Sequence, residues 1–145
     1  MSVEIEVVEV VTAEVAKAFD RLLPQLSRSA EPVDGEALTG VARWPGNRLL
    51  VARVDGEIMG TLTLVVFPIP TGQRAWIEDV VVDEAARGRG VGAALTREAV
   101  RLARAAGART VDLTSRPSRA AANRLYQRLG FQLRDSNVYR LDEQD

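Results

Sequence analysis

Residues 80–92 read Val80-Val81-Val82-Asp83-Glu84-Ala85-Ala86-Arg87-Gly88-Arg89-Gly90-Val91-Gly92, and their order decides the fold. A valine run favours a strand. A short arginine-bearing loop and three alternate glycines then lead into Val91, Ala94, Leu95, Ala99, Leu102 and Ala106, which fall on one face of a helix that stops at Gly107. N–H groups at a helix start have no partner within the helix and carry the positive end of its dipole, while glycines let an anion approach the backbone. With Arg87 and Arg89 as added charge, the turn reads as an anion cradle.

Working upstream, Arg74 to Val82 is the last run of a meander, preceded by a Pro/Gly loop from Pro68 to Gly72. Arg48 to Val54 and Glu57 to Phe67 are strand-like and joined by Asp55-Gly56, which suits the positive φ angles of a tight hairpin turn. The chain opens with Val3 to Val10, alternating apolar and acidic residues as a half-buried strand does. Thr12 then offers an N-cap to a helix carrying Val15, Phe19, Leu22, Leu23 and Leu26, and the polar stretch from Ser27 to Pro45 contains a short helix over Gly35 to Arg43. Downstream, Arg109 to Thr114 reads as a buried strand, so strand, helix and strand form a parallel crossover. A second helix is expected with Ser118 as N-cap, a stripe through Ala121, Ala122, Leu125 and Leu129, and a stop at Gly130. Phe131 to Arg134 and Val138 to Leu141 suggest a terminal hairpin. The expectation is an α/β fold, a mixed sheet of about seven strands flanked by helices, and one domain over residues 1–145.

Composition narrows the chemistry. The chain has no cysteine and no histidine, which removes disulfides, thiolate metal sites and the usual general base. Catalysis would run on carboxylates, hydroxyls, arginines and backbone, and no metal is implied. The net charge of −1 hides an asymmetry: residues 1–86 hold 7 basic and 14 acidic residues, and residues 87–145 hold 12 and 6. The second part should attract a small anion. The few aromatics are not interleaved with that basic excess, which argues against a nucleic-acid partner. The apolar run Leu62 to Phe67 is far short of the ~20 residues that span a bilayer, and Met1-Ser2-Val3-Glu4 lacks a basic leader segment. A soluble cytoplasmic protein with no membrane partner is expected.

Arg87-x-x-Gly90-x-Gly92 after a valine-rich strand resembles the acyl-CoA pyrophosphate loop of the GNAT superfamily of N-acetyltransferases. A second block, Asn123, Leu125, Tyr126, Gly130 and Phe131, matches the family's pattern of Asn, a two-residue gap, Tyr, then Gly-Phe. The resemblance extends from about residue 3 to 141. It implies acetyl-CoA as acyl donor, with its pyrophosphate on Arg87, Gly88, Arg89, Gly90, Val91 and Gly92. The same resemblance places its pantetheine amides on the backbone of Val80, Val81 and Val82, with Asn123 beside it.

Acetyl transfer needs an amine deprotonated, a carbonyl polarised and a thiolate protonated. Tyr126, with an ordinary pKa of about 10, resembles the family's general acid; Glu78, two residues before Val80, is the base candidate. Asp79 points to the other face of a regular strand, but a bulge would exchange the two. The Val80 N–H is the candidate oxyanion donor. The resemblance implies a small-molecule amine or a protein amine as acceptor and allows a homodimer, a frequent state in the family.

Two rivals can be weighed from sequence. Gly88-x-Gly90-x-x-Ala93 with Asp112 also satisfies a dinucleotide fingerprint, but Asp83 to Arg87 separates the glycines from the strand and too little chain follows for a doubly wound sheet. A non-catalytic acyl-CoA sensor acting on a partner protein would use the same motifs, with Tyr126 and Glu78 as binding residues.

Overall fold

Alternating apolar residues at the start of the chain build strand β1 (Val3–Val7), shorter than the alternation to Val10 predicts. A computed structural model describes residues 2–143, and these fall into two compact units, one ending at Thr114 and one beginning at Ser115.

The first unit holds helices α1 (Ala13–Leu26) and α2 (Gly35–Arg43), strands β2 (Asn47–Val54), β3 (Glu57–Ile69) and β4 (Gly72–Val82), a 3₁₀ turn at Glu84–Ala86, helix α3 (Val91–Ala105) and strand β5 (Thr110–Asp112). The Oγ1 of Thr12 accepts from the Val15 N–H at the start of α1, and a carboxylate oxygen of Asp34 accepts from the Ala37 N–H at the start of α2. The expected span of α2 is the observed one. Asp55 and Gly56 both take positive φ, 50° and 91°, and the β2–β3 hairpin closes across them with Val54 opposite Glu57.

The five strands lie in the order β1-β2-β3-β4-β5. The first four are antiparallel neighbours, and β5 joins β4 in parallel through Arg74–Thr110, Ala75–Val111 and Trp76–Asp112. One face carries Leu50, Leu62, Leu64 and Gly60, and here Val91 and Leu95 of α3 press on the sheet: a Cβ built on Gly60 would lie 3.0 Å from Val91 Cγ1 and 3.2 Å from Leu95 Cδ1. On the other face, Val15, Phe19 and Leu22 of α1 and Leu38 of α2 form a core with Leu49, Val51, Ile58 and Val81.

Two register shifts shape this sheet. Between Ala52 and Arg53 the partner strand β3 carries an extra residue, and between Thr61 and Thr63 the extra residue lies on β4, since Thr61 faces Val81 and Thr63 faces Glu78. Each shift reverses the alternation, which is how Ile58 and Val81 reach the α1 side.

The second unit holds helix α4 (Ala120–Arg128). Three expectations need correction. The sheet has five strands among the described residues, not about seven, because Phe131–Arg134 and Val138–Leu141 do not form a hairpin. Leu133, Val138, Tyr139 and Leu141 face solvent there, and a two-stranded hairpin with no apolar face to bury is marginal in water. Arg119, not Ser118, is the N-cap of α4, without a side-chain hydrogen bond; the first turn is held instead by Asn123. The parallel strand also covers only Thr110–Asp112 rather than Arg109 to Thr114.

Candidate active site

Strand β4, the turn after it and the start of α3 gather most of the residues singled out from sequence. Pairing with β5 engages β4 only at Arg74–Trp76, so Ile77–Val82 runs on past the end of its parallel neighbour. Val80 and Val82 are half-buried, and the Val81 side chain is buried against α1. Within this stretch Asp79 adopts φ 50°, the left-handed region that non-glycine residues seldom enter and that Asp tolerates better than most. It sits at the extra residue of the β4 bulge. The bulge that the sequence left open is therefore present; it sets Glu78, opposite Thr63, on the same face as Val81, opposite Thr61, and both Glu78 and Asp79 are exposed.

Beyond Val82 the chain is pinned before it reaches the glycines. The Asp83 N–H donates to Met59 O at 2.7 Å, and its buried carboxylate accepts from the Ala85 N–H at 2.9 Å and from Arg21 Nε of α1 at 2.9 Å. Arg21 also donates to the Ile58 carbonyl, and Gln25 Oε1 accepts from the Glu84 N–H at 2.9 Å. The Ala85 N–H and the Arg21 guanidinium stabilise the ionised form and hold the Asp83 carboxyl below its ordinary pKa, against the opposing effect of burial. Sequence reading missed this clamp. An Asp just before small residues is a recognisable turn former, but nothing local announces that Arg21, 62 residues away, is its partner.

Arg87, Gly88, Arg89 and Gly90 are exposed, and Gly88 and Gly90 both take φ 79°. Gly90 is the N-cap of α3, and no side chain caps that end, so the first-turn N–H groups point away from the helix beside two arginines. Val91, by contrast, is buried, and its side chain anchors the turn onto Gly60.

In the second unit, Asn123 and Tyr126 lie one turn apart on α4. The Asn123 amide donates to the carbonyls of Arg116 and Arg119 at 2.9 and 2.8 Å, tying the Arg116–Arg119 turn to the helix. Tyr126 is buried, and its ring meets Phe131 edge-on with centroids 5.8 Å apart. Burial raises the phenol pKa, with Arg119 opposing, so the hydroxyl keeps its proton at neutral pH. Leu125 and Leu129, expected as the apolar stripe, are only half-buried, and Tyr126 is the buried residue of α4. The structure thus groups Glu78, Val80–Val82 and Arg87–Gly92 in the first unit, and Asn123 and Tyr126 in the second. Among the described residues no helix is long and apolar enough to cross a membrane.

This arrangement of strand, glycine-rich turn and helix is matched by known proteins. The Acetyltransferase (GNAT) family matches residues 15–131. A glucosamine 6-phosphate N-acetyltransferase of Trypanosoma brucei brucei is 34% identical over 121 residues, covering 78% of this chain and 80% of that protein. A crystal structure of a Trypanosoma brucei acetyltransferase has a TM-score of 0.79 at 30% identity, covering 98% of this chain and 100% of that one. A crystal structure described as a transcriptional regulator from Bacillus halodurans has a TM-score of 0.81 at 26% identity, covering 97% and 100%. The chain belongs to the GNAT family of acetyltransferases. It is an acetyltransferase enzyme.

Proposed function

We propose that the protein moves an acetyl group from acetyl-CoA to the primary amine of a small molecule by direct attack, and that the two units act as one N-acetyltransferase domain. The observation that carries this reading is the exposed, uncapped start of α3 behind Gly88 and Gly90, flanked by Arg87 and Arg89 and following a strand whose final residues outrun their parallel neighbour. N–H donors and guanidinium groups there suit the pyrophosphate of CoA. The backbone of Val80–Val82 is the edge along which the pantetheine amides would pair, and the Val80 N–H would meet the developing oxyanion. The family match running from residue 15 to 131 crosses the boundary at Thr114, which supports a single functional domain.

In this mechanism Glu78 accepts a proton from the ammonium group, directly or through water. The free amine attacks the thioester carbonyl and forms a tetrahedral intermediate. Its collapse breaks the C–S bond as Tyr126, protonated at neutral pH, donates its phenolic proton to the departing thiolate, and the extra proton on the new amide nitrogen passes to the tyrosinate, restoring the phenol. The acceptor of the Trypanosoma relative, glucosamine 6-phosphate, supports a small-molecule amine here.

The test is acetyl-CoA consumption, followed by thiol release, for wild type, Tyr126→Phe and Glu78→Gln. Tyr126→Phe should keep stability and CoA affinity and lose at least ~10²-fold in turnover where chemistry limits the rate. Glu78→Gln should lose turnover by an amount that shrinks as pH rises and the acceptor deprotonates unaided. If Asp79→Asn behaves that way instead, the base is Asp79. Wild-type turnover in Tyr126→Phe would remove the phenol from the mechanism.

A further inference from the structure

The two faces of the β3–β4 pair are unequally covered. On the α3 side, Leu62, Leu64, Ala75 and Ile77 are buried. The intervening residues Thr63, Val65 and Phe67 of β3 and Arg74 and Trp76 of β4 are only half-buried, and Glu78 is exposed. The register sets them side by side: Thr63 opposite Glu78, Val65 opposite Trp76, Phe67 opposite Arg74. They occupy the face on which α1 and α2 pack, but the core made by those helices gathers Leu49, Val51, Ile58 and Val81 and does not include this quadrant. The result is a half-buried floor, aromatic and aliphatic at its centre, with an exposed carboxylate at the end nearest the β4 bulge.

The polar groups bordering this floor are specific. Trp76 is the parallel partner of Asp112 on β5, and Arg74 Nη2 donates to Asp112 Oδ2 at 3.0 Å. The pair leaves the guanidinium 41% and the carboxylate 27% exposed, so hydrogen-bond donors and acceptors stand beside the indole with their charges mutually offset. Such a pair suits neutral hydroxyl groups. A polyamine would call for a row of uncompensated carboxylates along the floor, whereas the register lines it with Thr63, Val65, Phe67 and Trp76 and sets Glu78 at one end. Trp76 and Glu78 are two residues apart on a strand, roughly 6.8 Å, close to the breadth of one six-membered ring bearing an amine.

We infer that Trp76 is the acceptor platform and that the acceptor is an amino sugar: a saturated ring lays its C–H face on the indole, its hydroxyls meet Arg74 and Asp112, and its amine lies at Glu78. The inference rests on the proposal that Glu78 stands beside the reacting amine. Removing the apolar contact between ring and indole should raise KM about tenfold.

The experiment measures kcat and KM for glucosamine and for the acyclic amine spermidine, with acetyl-CoA saturating, in wild type, Trp76→Ala and Trp76→Phe. Glucosamine should be the better substrate. Trp76→Ala should raise its KM about tenfold with kcat and CoA affinity little changed, and Trp76→Phe should recover most of the loss because a flat ring remains. Spermidine kinetics should move by less than about twofold. Preference for spermidine, or equal effects of Trp76→Ala on both amines, overturns the inference while leaving acetyl transfer intact. Calorimetric titration of glucosamine into the CoA-saturated protein separates the remaining outcomes. Trp76-dependent binding without turnover would sink the catalytic proposal and keep the platform. Neither binding nor turnover with glucosamine would remove the platform, and Trp76→Phe guards against mistaking a folding defect for lost recognition.

Discussion

Gly60→Ala should destabilise the protein, although alanine favours a strand interior over glycine. A Cβ at Gly60 would lie 3.0 Å from Val91 Cγ1, 3.2 Å from Leu95 Cδ1 and 3.2 Å from the Val81 carbonyl oxygen. Val91 and Leu95 are 1% and 0% exposed, so neither side chain can swing into solvent. Forcing extra volume into such a contact costs ~1–3 kcal/mol, and relief of glycine's backbone entropy returns ~0.5–1 kcal/mol. The net expectation is a loss of about 1–2 kcal/mol, which at ~2–4 °C per kcal/mol for a chain near this size corresponds to a Tm lower by about 2–8 °C. Gly40→Ala in α2 is the matched control, because nothing lies within 4 Å of a Cβ there. Alanine at that helix-interior position should stabilise by up to ~1 kcal/mol. Differential scanning calorimetry of both variants decides the matter. A Gly60→Ala protein melting at or above wild type, with Gly40→Ala stabilised as expected, would show that α3 does not bear on the sheet at Gly60. Because Val91 opens α3, a true clash should also weaken CoA binding.

Two further outcomes follow from the β4–α3 turn. Gly90 takes φ 79° with open space around its Cβ position, so Gly90→Ala should lose only the ~1–2 kcal/mol of the left-handed conformation; Gly90→Asp adds a repelling charge and should abolish CoA binding, measured calorimetrically on folded protein. Unchanged CoA affinity in Gly90→Asp would refute the cradle. Asp83→Asn should lower stability by about 1 kcal/mol, since Arg21 is partly exposed and screened by solvent. The Asp83 carboxyl has a pKa lower in the folded than in the unfolded chain, so its contribution is fully present above the unfolded value near 3.8 and fades as pH falls through the depressed folded value. The gap in Tm between wild type and Asp83→Asn should therefore be full at neutral pH and close on the acid side of pH 4; a gap independent of pH would mean that the Arg21–Asp83 pair does not stabilise the loop through charge.

What the sequence determined by itself was whatever neighbouring residues settle among themselves. Asp55-Gly56 takes the positive φ angles of its turn because the requirement is local, and Asp34 starts α2 at Gly35 because the carboxylate need reach only three residues ahead. The Arg87–Gly92 turn was legible for the same reason: valine strand, glycines and apolar helix are consecutive, and a helix start exposes its N–H groups whatever surrounds it. Tertiary structure decided the rest. Strand alternation could not place Glu78 relative to Asp79, since the bulge arises from the register of β4 against β3, where Thr61 meets Val81 and Thr63 meets Glu78. The alternating residues near the C-terminus looked like a hairpin, yet alternation stabilises a strand only where a partner and a buried face exist, and Leu133, Val138, Tyr139 and Leu141 have no such cover. Arg21 found Asp83 across 62 residues because α1 packs beside the end of β4, and Trp76 is only half-buried because the core under α1 and α2 gathers Leu49, Val51, Ile58 and Val81 instead. Such features depend on which distant residues the sheet and helices bring side by side, and no window of consecutive residues carries that information.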